Sequence, residues 1–331
     1  MSKVRWAIVG TSGFAHDWLA RGIQLGSNAE LSAVVSRNAE RGQAAAEKLG
    51  VAHVFTSIAE IDKNVVDGVF LCLPNTQHAP YAIDAAEHGL HVICEKPMAP
   101  SLAECQAMID AARANNVVLA VAHCMEFGSP LVKARELLES NAIGTVISAS
   151  ITASYPASQN SNGWRNTDSS DMGGGILYDM GVHAVDGITR LLGPIRQVAA
   201  WADQRTHHFN TEDTASILAR FESGAHGFIQ SHFNCLQNSL EIQGTNGRIW
   251  SNAWWGRDYR GDLHMQVGKE VTDFDLPQVN VYVPQIEHVS NCVLRGETPV
   301  ISGERGMANI AVLRAAFESA RTGRVVEVAT K

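Results

Sequence analysis

The sequence predicts two domains, a parallel-sheet α/β domain followed by an α+β domain with a largely antiparallel open sheet. Three observations carry this. Short apolar runs alternate with helical patterns over residues 4–122. Beyond them, apolar runs follow one another with tight-turn signals in between. The length, 331 residues, suits two domains of about 150 residues each. We expect the boundary near residue 123, giving domains 1–123 and 124–331.

Val4–Val9 is a short apolar run stopped by Gly10, the pattern of a buried strand. Gly13–Leu25 follows with helical spacing. Leu31–Val35 reads as the second strand and the Ala-rich Ala39–Leu49 as a helix. Gly68–Leu73 is a strand closed by Pro74, His78–His88 a helix, and His91–Cys94 a strand. Leu102–Ala114 and Val117–Ala122 complete the series as helix and strand. Strands separated by helices make βαβ units, so the sheet is parallel and covered on both faces. The segments around residues 53 and 61 carry only weak patterns.

Ser129–Glu139 is helical, and Val146–Tyr155 alternates as a strand with one wet face. Tyr155–Gly173, rich in Ser, Asn, Asp and Gly, reads as a long loop, and Gly174–Leu192 as an amphipathic helix. Strand-like runs come next at Gln197–Ala202, Thr214–Phe221, Ala225–Phe233, Ser239–Gly244 and Gly247–Trp250. Ser223-Gly224 and Thr245-Asn246-Gly247 supply turns between them. A last helical stretch covers Gly306–Thr322.

The composition removes several function classes. With 26 basic and 34 acidic residues the net charge is −8, and no basic cluster offers a nucleic acid or anionic membrane a footing. No stretch reaches the ~18 apolar residues of a membrane span, and the opening run is too short for a secretory segment. The six cysteines form no C-x-x-C pair, so we expect no metal site and a reduced, cytoplasmic setting. His207-His208 reads as a surface-loop pair without a third ligand at metal spacing.

After the first strand the chain reads Gly10-Thr11-Ser12-Gly13-Phe14-Ala15. It follows the dinucleotide fingerprint G-x-G-x-x-G/A of the Rossmann fold, with Ser12 in place of the second glycine. Gly10 permits the tight turn, the small Ser12 admits phosphate to the backbone, and Ala15 lets the helix pack close. The helix N-terminus offers free N–H groups to a pyrophosphate. The same residues can also form a plain βα turn. At the end of the second strand stands Val35-Ser36-Arg37-Asn38-Ala39-Glu40-Arg41. No acid waits there for the ribose hydroxyls of NAD. Ser36, Arg37 and Arg41 can instead hold a 2′-phosphate, so NADP(H) is expected over NAD(H). The alternative is that both arginines are ordinary surface charges.

Glu95-Lys96-Pro97 follows directly after the strand His91–Cys94, at the sheet edge where open α/β folds hold ligands. Taken alone it can be a solvated turn. After Gly173-Gly174-Gly175 the helix carries an apolar stripe of Leu177, Met180, Ala184, Ile188 and Leu191. Asp179, His183, Asp186 and Arg190 form a separate polar stripe. Asp179 and His183 lie at i and i+4 and can meet. Such a pair suits a general acid that protonates a developing alkoxide; an exposed pair on a solvated face is the alternative.

Taken in order, the G-x-S-x-x-A turn, Pro74-Asn75-x-x-His78, Glu95-Lys96-Pro97 and Gly-Gly-Gly-x-x-x-Asp179-x-x-x-His183 span the chain. Together they resemble the glucose–fructose oxidoreductase/inositol dehydrogenase (Gfo/Idh/MocA) family. The Gly163-Trp164-Arg165 loop and the Ser36-x-x-Ala-Glu-Arg41-Gly run look like those of its sugar reductases. The resemblance implies an oxidoreductase that moves hydride between NADP(H) and a sugar or sugar-like carbonyl or alcohol. It implies that Gly10, Ser12, Gly13, Phe14, Ser36, Arg37, Arg41, Leu73, Asn75, His78 and Glu95 lie along the cofactor, with Trp164 and Arg165 reaching its nicotinamide end. Lys96 would orient nicotinamide and the reacting oxygen. His183 would move the proton, supported by Asp179. His123 and Trp164 would join Lys96, Asp179 and His183 at the substrate. Many relatives carry Arg shortly after the position of His123; here Cys124-Met125-Glu126-Phe127 puts an acid there. A homo-oligomer joined through the open sheet is a further expectation. Two other readings remain open at this point: an NAD(P)-dependent inositol or sugar-alcohol dehydrogenase, and a nucleotide-binding regulator on the same fold.

Overall fold

A computed structural model of the chain describes residues 2–158 and 173–329. The chain divides into two compact units. One comprises Met1–Cys124 with Asn280–Met307, the other Met125–Val279 with Ala308–Lys331.

The first unit holds six strands: β1 (Val4–Val9), β2 (Ala29–Val35), β3 (His53–Phe55), β4 (Gly68–Leu71), β5 (His91–Cys94) and β6 (Leu119–Val121). All pair in parallel, in the order β3-β2-β1-β4-β5-β6. The order reverses between β1 and β4, which opens a crevice at the carboxyl ends of the strands. Ile8, Val34, Val69, Phe70, Val92 and Ile93 are buried, as a sheet covered on both faces requires.

Helix α1 begins with a wide π turn, Ala15–Ala20, and continues as Arg21–Leu25. Helix α2 (Ala39–Leu49) starts at Asn38, whose side chain accepts the Arg41 N–H at 2.8 Å. Helix α3 (Asn75–Glu87) begins three residues before the expected start, because Pro74 already ends the strand and caps the helix. Helix α4 (Leu102–Ala114) opens on a capping box between Ser101 and Glu104.

The second unit holds helix α5 (Ser129–Glu139), helix α6 and a nine-stranded sheet. Helix α6 is a π turn, Leu177–Gly181, running into the α-helix Val182–Leu192. The sheet contains β7 (Val146–Thr152), β8 (Ile195–Asp203), β9 (Thr214–Phe221), β10 (His226–His232), β11 (Leu240–Gly244) and β12 (Gly247–Ser251). Its centre runs β12-β11-β7-β10-β9-β8, flanked by His264–Val267 and Glu270–Asp273 beyond β12 and Val326–Glu327 beyond β8. Every pairing is antiparallel except β10 with β7. Ile151, Ile217, Ile229, Ile242 and Ile249 are buried on one face, and α6 packs on β7 and β10. Trp201, Leu218 and Phe228 stand exposed on the other face.

The structure also departs from the sequence reading after residue 280. Helix α7 (Tyr282–Arg295) lies where no helix was expected. It packs on α1, β1 and β2, so Asn280–Met307 rejoins the first unit, which a single cut at residue 123 does not provide for. The signal was present as Tyr282, Ile286 and Val289 at helical spacing, all buried. The final helix, α8, spans Gly303–Thr322.

Candidate active site

In the first unit the turn after β1 is set by backbone geometry. Gly10 has φ +111°, and a Cβ there would lie 2.3 Å from the carbonyl oxygen of Cys72, so no other residue fits. Ser12 does more than stay small. Its hydroxyl accepts the Ala15 N–H at 3.2 Å and so caps the first turn of α1. Gly13 faces open space, with only the Asp17 carboxylate near, at 3.8 Å from a built Cβ. The half-buried Phe14 packs edge-on against Tyr282 of α7, ring centres 6.0 Å apart. Gly22 makes room for that helix, since a Cβ would come within 2.7 Å of Tyr282 Cβ.

A nicotinamide dinucleotide fits this loop. Gly10 holds the tight turn and Gly13 leaves its outer side open, at a helix start, where a phosphate is favoured. At the end of β2 stand Ser36, Arg37 and Arg41. Arg37 and Arg41 are exposed, and neither forms an ion pair among the described residues. Ser36 donates to the Asn38 carbonyl oxygen at 2.9 Å, which holds the turn between the strand and α2. Gly42 allows α2 to come close, as a Cβ there would approach Ser36 Cβ to 3.2 Å.

Beyond β4 and β5 the remaining expected residues gather around one turn. Asn75 is buried at the start of α3, and Leu73 is half-buried before it. His78 is fully buried, and its two ring nitrogens lie 2.9 Å from Pro97 O and 3.0 Å from Leu73 O. It therefore ties the loop after β4 to the Glu95-Lys96-Pro97 turn. The Lys96–Pro97 peptide is cis. The Lys96 N–H donates to the buried Glu95 carboxylate at 3.2 Å, and the Lys96 side chain is half-buried. His123 is buried just past β6, its amide bonded to Val121 O at 2.7 Å.

In the second unit α6 carries the other expected pair. Asp179 is half-buried, and its Oδ2 accepts the Tyr155 hydroxyl at 2.9 Å. His183 is buried, with the Trp255 ring edge-on at a centroid distance of 5.7 Å. Asp179 lies inside the π turn, which ends two residues before His183. The expected polar stripe does not lie on a solvated face. Asp186 is buried and accepts from Asn309 Nδ2 at 2.8 Å. Arg190 Nε lies 2.9 and 3.0 Å from the two oxygens of Glu126.

Two sequence expectations are corrected here. Glu126 does not stand as an acid open to substrate. It is buried and receives Arg190 from α6 and Arg135 from α5, the latter at 2.7 Å, so two guanidinium groups neutralise it. His207 is not a surface residue. It is buried, stacked on Phe209 at 4.6 Å, and its Nδ1 lies 3.2 Å from the buried Asp213 carboxylate, while His208 alone is exposed. Trp164 and Arg165 lie outside the described residues.

Two residues of this half-site escaped the sequence reading. Tyr155 passed as the end of a strand. Trp255 was not singled out, although two adjacent tryptophans in a polar stretch are an unusual signal. Trp254 spends its indole N–H on Thr152 O at 2.8 Å. Trp255 Nε1 is buried without a hydrogen-bond partner among the described residues, beside His183 and under Arg257, whose guanidinium carbon is 5.8 Å from the ring centre. A buried N–H of this kind is costly unless something accepts it. Among the described residues no helix is long and apolar enough to cross a membrane.

Comparison with known proteins agrees with this geometry. Residues 4–123 match a family described as an oxidoreductase family with an NAD-binding Rossmann fold. Residues 131–250 match the GFO/IDH/MocA C-terminal domain. The D-xylose 1-dehydrogenase (NADP(+)) 2 of Haloferax volcanii is 30% identical, over 98% of this chain and 99% of its own. The 1,5-anhydro-D-fructose reductase of Ensifer adhaerens is 26% identical, again over 98% and 99%. The crystal structure of an aldose-aldose oxidoreductase from Caulobacter crescentus superposes with a TM-score of 0.91 at 27% identity, covering 98% of this chain and 99% of that one. With a glycine-turn nucleotide loop in one unit, an Asp–His helix in the other, and matches to both halves of one family, the chain belongs to the GFO/IDH/MocA oxidoreductases.

Proposed function

We propose that the protein is an NADP(H)-dependent oxidoreductase acting on a sugar or sugar-like carbonyl, in the manner of 1,5-anhydro-D-fructose reductase. The observation that carries this reading is the buried His183, edge-on to Trp255, on the helix that also holds Asp179. It is an acid–base group beside an aromatic wall that has an N–H to give, which suits a polyhydroxylated substrate. A bound nicotinamide supplies hydride transfer. His183 gives a proton to the oxygen on which charge develops, and Lys96 stabilises that charge with its own. Asp179, on the same helix, supports His183 in this role. Arg37, Arg41 and Ser36 hold the 2′-phosphate of the cofactor. His123, Trp164 and Arg165 are assigned to the substrate and nicotinamide region through the family resemblance.

The second reading is oxidation of a sugar or polyol by the same residues, favoured by the xylose dehydrogenase likeness across the whole chain. One experiment separates them. NADPH consumption is followed with a panel of keto-sugars that includes 1,5-anhydro-D-fructose, and NADP⁺ reduction with D-xylose and inositols, each repeated with NADH and NAD⁺. Turnover of a keto-sugar with NADPH supports the first reading. Turnover only with polyols or aldoses supports the second. Tight NADPH binding with neither turnover would leave a nucleotide-binding regulator.

Two further expectations belong to this reading. The exposed Trp201, Leu218 and Phe228 on the open sheet face support a homo-oligomer, tested by light scattering. The six free cysteines support a reducing cytoplasmic setting.

A further inference from the structure

The three glycines before α6 have no role in the chemistry above. Gly173 and Gly175 have φ +83° and +90°, so the chain enters the helix through left-handed backbone. A Cβ on Gly175 would lie 2.2 Å from one oxygen of the Glu212 carboxylate and 2.3 Å from the other. The carboxylate thus occupies the space that a side chain would fill. From there Glu212 Oε1 accepts the Leu177 N–H at 3.1 Å, and Glu212 O accepts the Ile176 N–H at 3.2 Å. Two of the four amides that a helix start leaves without intrahelical partners are therefore held by one residue of a distant loop. That loop is itself pinned, because the next residue, Asp213, accepts the amides of Arg205, Thr206 and His207 at 2.8–2.9 Å.

We infer that Glu212 is a positioning residue for the Asp179–His183 helix, anchoring its first turn through the Leu177 amide, and that Gly175 is glycine to admit the Glu212 carboxylate. The inference rests on the reading of Asp179 and His183 as the acid–base pair. Asp179 sits two residues beyond Leu177, inside the π turn, and its own amide bonds to Gly175 O at 3.1 Å. A change in the height or tilt of this turn passes directly to the Asp179 carboxylate. At the other end of the helix the Glu126–Arg190 pair does the same work, so α6 is held at both termini. Burial, joined by the neighbouring Asp213 charge and opposed by the Leu177 amide, raises the Glu212 carboxyl to about 7.

Two conservative substitutions separate reach from charge. Glu212→Gln keeps the length and an accepting oxygen but loses the charge. Glu212→Asp keeps the charge but withdraws the oxygen by one methylene. Amide hydrogen exchange of Leu177–Gly181 and steady-state kinetics with the active sugar are measured on the full chain, with the cofactor dissociation constant determined separately. Glu212→Asp is expected to speed exchange at Leu177 and lower kcat roughly tenfold or more, as misplacement of reacting groups does. It should also move the pH profile of kcat, with NADPH affinity unchanged. Glu212→Gln is expected to stay within about threefold of wild type. Gly175→Ala should reproduce the Glu212→Asp behaviour. Wild-type exchange and kcat in Glu212→Asp would overturn the inference, as would loss in Glu212→Gln with retention in Glu212→Asp. If the wild type turns over no sugar, the functional reading fails, and the exchange arm still decides whether Glu212 anchors the helix.

Discussion

The Tyr155 hydroxyl donates to Oδ2 of Asp179 across 2.9 Å, from the segment just beyond β7 to the π turn of α6. The tyrosine ring is itself held edge-on by Phe233, at a centroid distance of 5.4 Å. Asp179 is thus aimed from the side as well as carried by its helix. A hydrogen bond to a charged group contributes about 1.5–3 kcal/mol. Tyr155→Phe keeps the ring contact and removes this bond. We expect kcat to fall about tenfold, with NADPH affinity intact. Stopped-flow reduction and a cofactor fluorescence titration check this; unchanged kcat would mean that the Tyr155 bond does not position Asp179 for the reaction.

Much of the first unit was legible because its signals are local. Gly10, Ser12, Ala15 and the charges after β2 sit within one βαβ turn, where spacing in sequence is spacing in space. The place of Lys96 directly after β5 was legible for the same reason. The second unit was harder. Tyr155, Trp255 and Glu212 come to α6 from segments far apart in the chain, and no spacing rule links them. Glu126 misled because an acid where many relatives carry Arg suggests a changed charge on the substrate side. Only the fold brings Arg135 and Arg190 onto it. His207 misled because a His-His pair among polar residues suggests surface, whereas Phe209, Phe233 and Asp213 enclose it.

Lys96 and His183 test the chemistry directly. If each contributes the 10²–10⁴-fold typical of charge stabilisation or general acid catalysis, its loss raises the barrier by about 3–5 kcal/mol. Lys96→Ala and His183→Ala should therefore abolish most turnover, while isothermal titration still detects NADPH. Near-normal rates in both variants would remove the two residues from the mechanism.

The cofactor preference rests on Arg37 and Arg41, both exposed and clear of carboxylates among the described residues. A 2′-phosphate would engage them by charge-assisted hydrogen bonds. The double variant Arg37→Ala/Arg41→Ala should raise KM for NADPH by roughly tenfold or more and leave KM for NADH nearly unchanged. The NADPH effect should shrink as salt rises, because exposed charges are screened. Equal loss for both cofactors would show that the arginines support the loop and do not read the phosphate.

Trp255 offers a buried N–H beside His183 that no protein group accepts among the described residues. Trp255→Phe retains the aromatic wall and deletes that donor. One neutral hydrogen bond is worth about 0.5–1.5 kcal/mol, so kcat/KM for the sugar should drop up to about tenfold. Cofactor binding should not change. A polyhydroxylated inhibitor should weaken in parallel, whereas an inhibitor lacking hydroxyls should not.

Glu212 and Asp213 are adjacent, yet pH acts on them in opposite directions. Burial opposes ionisation of Asp213, but the amides of His207, Thr206 and Arg205 outweigh it and hold its carboxyl below the ordinary range. Asp213 therefore contributes stability above its unfolded pKa, and this is lost as pH falls. Glu212 is raised from 4.5 to about 7. Between those values the unfolded chain releases the proton and the folded chain keeps it, so stability declines as pH rises and levels off above about 7. The span corresponds to roughly 3 kcal/mol. Glu212→Gln carries no proton to lose. Its stability relative to wild type should therefore climb from pH 5 to about pH 7 and then stay level, read as the difference between two urea midpoints at each pH. All other titrating groups cancel in that difference. A flat difference across the range would mean that Glu212 ionises normally, and that the Leu177 amide meets a charged carboxylate at neutral pH.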